Sequence, residues 1–109
     1  MAITYKVLAQ SAPSATTNTD IYTVGSGKQT TISTITVCNR STTAATYRIA
    51  VRPNGATIAN EHYIAYDAPV GPNDSITWTI GMTADAADVV TVYASTANLS
   101  VNIFGAEIA

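Results

Sequence analysis

Apolar and polar residues alternate with a period of two through most of this chain, the spacing of a strand with one buried face. Ala45, Tyr47, Ile49 and Val51 share one face; Thr46, Arg48, Ala50 and Arg52 share the other. Ile76, Trp78 and Ile80 alternate with Thr77 and Thr79, which assigns Trp78 to the core. Leu99, Val101 and Ile103 form another inward row, and Ile3, Tyr5, Val7 and Ala9 stand opposite Thr4, Lys6 and Leu8. Shorter strands are predicted over 20–24, 62–66 and 88–94. Segment 29–38 breaks the rule, because Ile32 falls on the opposite face from Ile35 and Val37. Either both of its faces are covered or a bulge resets its register.

Between these runs lies turn chemistry. Residues 11–19 are small, polar and without period, which predicts a flexible linker. Gly25-Ser26-Gly27-Lys28 and Pro53-Asn54-Gly55 read as turns. Ala68–Asp74 holds two prolines and is expected to be a loop, since proline cannot donate to a ladder. The four residues Ser95–Asn98 predict a hairpin between 89–94 and 99–104. Only Ala84–Ala87 has helical character, one turn at most. About eight strands spaced roughly 10–14 residues apart predict an all-β fold, an antiparallel sandwich or jelly roll. Residues 1–19 are expected to form an N-terminal strand or arm with its linker, and residues 20–109 a single β-sandwich domain.

Composition sharpens this picture. The 11 Ile and 9 Val outnumber the 2 Leu, and 18 Thr join them, a mixture that suits pleated, half-buried surfaces. Apolar residues make up 47% of the chain, too many for intrinsic disorder. No apolar run approaches the roughly 20 residues of a membrane-spanning helix. Five Lys and Arg against seven Asp and Glu exclude an electrostatic nucleic-acid binder. The first residues carry no basic segment followed by an apolar one, so cytoplasmic synthesis without a secretory leader is expected. The single cysteine, Cys38, reads as a small buried hydrophobe. The three sequons, at Asn39, Asn73 and Asn98, are then incidental.

Candidate chemistry is sparse. Glu61 and His62 are neighbours and point to opposite faces of a strand. One His and one Cys do not make a zinc site, and Asp74, Asp85 and Asp88 lack the spacing of a calcium loop. They read as turn and cap residues. No serine has a nucleophile-elbow context, and Gly25–Lys28 has neither the spacing nor the helix of a phosphate loop. The expectation is a non-enzyme without metal or cofactor. Arg40, Arg48 and Arg52 cluster in sequence, and Arg48 and Arg52 share one strand face. A solvated face is the ordinary reading; the functional one is a basic stripe that meets an acidic protein.

Residues 88–107, Asp-Val-Val-Thr-Val-Tyr-Ala-Ser-Thr-Ala-Asn-Leu-Ser-Val-Asn-Ile-Phe-Gly-Ala-Glu, resemble the closing hairpin of small virion proteins of tailed bacteriophages, cyanophages among them. Residues 34–41 and 46–53 resemble their central hairpin. The resemblance is one of overall pattern and covers most of 20–107. It implies a β-sandwich structural protein present in many copies, such as a capsid cement or decoration protein on the head surface. Its partners would be the major capsid protein and further copies of itself, by analogy a homotrimer. Ile3–Gln10, tethered by the flexible linker, would add as a strand to a neighbour's sheet edge, and Ile3, Tyr5, Val7, Arg48, Arg52, Tyr63 and Tyr66 are the candidate interface residues. The alternatives are a tail-fibre or baseplate module that stacks host glycans on Tyr63, Tyr66 and Trp78, of which Trp78 reads first as core, and a neck or tail adaptor.

Overall fold

The computed structural model describes residues 2–109; Met1, part of the expected arm, lies outside the described residues. Eight strands follow one another: β1 (Ile3–Ser11), β2 (Thr19–Thr23), β3 (Gln29–Asn39), β4 (Ala45–Arg52), β5 (Tyr63–Val70), β6 (Ser75–Asp85), β7 (Val89–Ala94) and β8 (Leu99–Ile108). They form two four-stranded sheets ordered β1-β8-β3-β6 and β2-β7-β4-β5. Every ladder between them is antiparallel. The pairs β1–β8, β2–β7, β3–β6 and β4–β5 nest inside one another. This is a long two-stranded ribbon wrapped into two layers, the jelly-roll arrangement. The all-β sandwich predicted from alternation is therefore the fold. Two short 3-10 turns, Pro53–Gly55 and Asn60–His62, are the helical elements among the described residues.

Strand faces follow the sequence pattern, but partners do not. The predicted hairpin between β7 and β8 is absent. Strand β7 lies between β2 and β4, and β8 lies between β1 and β3 in the other layer. Ser95–Asn98 therefore bridges the sandwich, a step of about 10 Å between packed sheets. Strands β3 and β4, expected to be the central hairpin, are divided between the layers in the same way. An inward apolar row looks identical in a hairpin and in such an arch. The expected loop at 68–74 is also corrected, because β5 runs on through Pro69, opposite Thr46. Strand β5 is a sheet edge and pairs only with β4, and an edge tolerates a missing donor. The expected helical turn at Ala84–Ala87 is absent: Ala84 and Asp85 are the last residues of β6, and Ala86–Ala87 form the tight turn that follows it.

Bulges explain the parity break at Ile32. The register of β3 shifts between Ile32 and Thr34 against both β6 and β8, so Ile32, Ile35 and Val37 are all buried. The shift recurs across the sheet, between Val7 and Ala9 of β1 and at Gly81 of β6, where φ is +60°. Gly105 of β8 lies against this line. A Cβ there would overlap the Thr31 carbonyl, so only glycine fits.

The core joins both layers through Ile35 and Val37, Ile49, Val90 and Val92, and Leu99, Val101 and Ile103. Trp78 is half-buried against it, and its indole N–H donates to the buried Tyr47 hydroxyl at 2.8 Å. Asn39, expected only as an incidental sequon, is fully buried. Its amide donates to the carbonyls of Thr43 (2.8 Å) and Gly71 (3.1 Å), and its oxygen accepts from the Ser41 backbone N–H (3.0 Å). It thus ties the β3–β4 arch to the β5–β6 connection. Cys38 is not a core residue: it is half-buried on the outward parity of β3, opposite Ser75 and Ser100.

Candidate functional site

The seven residues expected at an interface separate onto two surfaces. Ile3, Tyr5 and Val7 lie on β1, which pairs only with β8 and forms the edge of its sheet. It is the one strand without a buried residue among the described residues. Val7 is opposite Phe104, and Tyr5 is opposite Ala106. Paired residues of an antiparallel ladder share a face, so Phe104 extends the apolar row outward. Exposures are 51% for Ile3, 82% for Tyr5, 47% for Val7 and 36% for Phe104. Tyr5, Thr31, Phe104 and Ala106 line an open groove along this strip. Phe104 was legible in the sequence, since it takes the parity opposite Leu99, Val101 and Ile103.

Lys6 has the opposite parity and turns inward, where a polar cluster closes this end of the sandwich. Its Nζ lies 3.0 Å from the Glu107 carboxylate, which also receives the Lys28 Nζ at 3.7 Å and the Tyr22 hydroxyl at 2.7 Å. The buried Thr30 hydroxyl donates to the Tyr22 oxygen at 2.8 Å. The Tyr22 hydrogen bond, the two lysines assisting, holds Glu107 below the usual carboxylate range. Burial, more than the neighbouring carboxylate, pushes the Tyr22 phenol up to about 12. One carboxylate thereby links β1, β2, the start of β3 and β8. Alternation alone gave no sign of it, because the link crosses layers.

The second surface is the outward face of β4, β5 and β7. The Arg48 guanidinium lies 4.2 Å from the Tyr66 ring centre and 4.3 Å from that of Tyr93. It donates to both Asp67 oxygens, at 2.7 and 3.4 Å. That hydrogen bond holds the Arg48 charge more firmly than in water. Tyr63 meets Tyr66 edge to face with centroids 4.9 Å apart. Their opposite parity predicts opposite faces, yet the register shift between Tyr63 and Ala65, where β5 has one residue more than β4, brings the two rings together. Arg52 is equally engaged, bonded to Asp20 at 2.9 Å and to Thr91 at 3.0 Å, with the Ala56 carbonyl at 2.9 Å. Both arginines of the expected basic stripe thus have an internal carboxylate, so the stripe presents little free charge.

The remaining candidates have structural roles. The Asp88 carboxylate accepts the backbone N–H groups of Asn54 and Asp85, both at 2.8 Å, and so knots two connections together. Asp74 caps the start of β6 through the Ser75 N–H. His62 lies in a 3-10 turn rather than a strand, and its Nδ1 accepts the Ala59 N–H at 3.0 Å. Among the described residues, no three His, Cys, Asp or Glu converge as a metal site would require. No protein-family model matches this chain, and no curated protein matches it.

Proposed function

We propose that this chain is a structural protein of a bacteriophage virion, a capsid cement or decoration protein that binds the coat lattice and stabilises the head. One observation carries the reading: Ile3, Tyr5 and Val7, on a strand that buries nothing, form a continuous apolar strip in solvent with Phe104 of the neighbouring β8. Such a strip supports a contact with a protein partner. The remaining surface suits dense packing of copies, since charged residues are only 11% of the chain and four of its five cations lie against carboxylates. The fold does not decide the matter, because jelly rolls serve capsid and lectin domains alike. The test is to mix the purified protein with undecorated phage heads. Saturable binding and a higher disruption temperature are expected, with both lost in Tyr5→Asp. Heads that neither bind the protein nor gain stability would remove the cement reading.

A tail-fibre or baseplate glycan module is the second reading, supported by Tyr66, which is 58% exposed beside the Asp67 carboxylate. Against it, Arg48 already covers one face of the Tyr66 ring, and sugars stack on open faces. Glycan-array binding that disappears in Tyr66→Ala would favour this module over cement.

A further inference from the structure

We infer that the chain forms a two-fold dimer by antiparallel pairing of β1 with β1 of a second copy, centred on Tyr5. The first support is the direction of the backbone groups. Ala2 and Ala109 exchange both of their hydrogen bonds, at 3.1 and 2.9 Å. Bonded and non-bonded pairs alternate along an antiparallel ladder. Thr4 and Lys6 therefore spend their N–H and C=O groups on β8, and Ile3, Tyr5 and Val7 point theirs out of the sheet. The same three residues carry the apolar strip.

The second support is register. A pair centred on Tyr5 sets Tyr5 against Tyr5 and Ile3 against Val7, the three residues with free backbone groups, and makes about six hydrogen bonds. A pair centred on Val7 would run through the bulge between Val7 and Ala9. A pair centred on Ile3 would leave Val7 unused. In the Tyr5 register Lys6 faces Thr4, not another lysine, and its charge is already drawn inward to Glu107. The usual protection of an edge by an outward lysine is missing here.

The other edges are protected. Strand β5 has Pro69 and a positive φ at Asp67, and β6 is broken by the bulge at Gly81. Strand β2 has five residues and a register shift. Ile3–Val7 keeps an unbroken register and holds no proline by comparison. Pairing would make one eight-stranded sheet with the strips of both copies adjacent on one face. A β1 edge closes with one partner only, so a trimer would have to be built from another surface. The inference does not rest on the virion reading, because it concerns the free protein.

The test is light scattering on the purified protein over a concentration series, together with residue-resolved amide exchange. The expected mass is twice the 11.3 kDa of the chain. The amides of Ile3, Tyr5 and Val7 should gain protection as concentration rises, while those of Thr4 and Lys6 stay protected throughout. Tyr5→Pro deletes one outward N–H, and Tyr5→Lys opposes two charges on the axis; both should return the monomer. If Tyr5→Pro fails to fold by circular dichroism, Tyr5→Lys decides. A monomer at every concentration, or a dimer that survives Tyr5→Lys with its outward amides unprotected, overturns the inference.

Discussion

Tyr5 and Tyr66 are the two most exposed tyrosines of this protein, yet their surroundings differ in kind. Tyr66 belongs to a ladder in which Tyr63, Arg48 and Tyr93 touch in sequence and Asp67 holds the guanidinium. Tyr5 stands on an edge strand with free backbone groups and apolar neighbours. Exposure alone does not mark a binding surface. The deciding feature is whether the side chain and its backbone already have partners within the molecule. By that measure the β1 edge is unfinished, and the face of β4, β5 and β7 is largely complete.

Substitutions in the two regions break or sharpen this contrast. The largest effect is expected from Gly105→Ala beneath the β1 edge, where a Cβ would collide with the Thr31 carbonyl. A loss of about 3 kcal/mol or more is expected in denaturant unfolding; a change below about 1 kcal/mol would mean that β8 can shift freely there. Tyr93→Ala comes next. It removes a half-buried ring from a central strand and one wall of the Arg48 site, at a cost of about 2 kcal/mol. Tyr66→Ala, at the edge of the same ladder, should cost about half as much. Equal losses would show that the ladder does not grade from centre to edge.

The link between the edge and the rest of the sandwich is expected to respond to pH. Glu107 is held below its unfolded value, so its contribution is present above the ordinary carboxylate range and disappears as pH falls through the folded value. Glu107→Gln should lose about 1 kcal/mol at neutral pH and flatten the acid limb of a stability profile. Tyr22 is shifted the other way, from 10.0 to about 12. Its contribution is complete below about 10 and is lost as pH rises through about 12, a dependence that Tyr22→Phe should abolish. The smallest effect is expected from Tyr5→Ala, within about 0.5 kcal/mol for the isolated chain. A larger loss measured at monomer concentrations would mean that the edge tyrosine packs on its own sheet.

Much of this architecture is legible in the alternation, and its failures share one cause. Period-two patterning reports which way a side chain points, so the inward rows of Ile35, Ile49 and Val101 follow from it directly. It does not report which strand lies alongside. The β7–β8 hairpin was expected for that reason, although its four-residue connection crosses between layers. Bulges defeat parity locally, as at Ile32 and in the Tyr63–Tyr66 pair. Pro69 misled because its prohibition holds only inside a sheet. Ile3, Tyr5 and Val7 were legible as a row, but their exposure depends on β1 being an edge, which topology alone decides. Glu107, Asp67 and Tyr93 carried no signal, because each gains its role from a partner distant in sequence.

The nested pairing also bears on how the protein is made. Gln10 and Asn102, 92 positions apart, are joined side chain to side chain, and β1 has no ladder partner before β8. On the ribosome the earliest strand must therefore wait, unpaired and apolar, while six others are synthesised. Contacts this remote in sequence are slow to close, and an open strand invites misassembly in the meantime. The edge that suits assembly in the finished protein is thus also its most vulnerable segment during translation, and any factor that shields a nascent chain has its clearest target there.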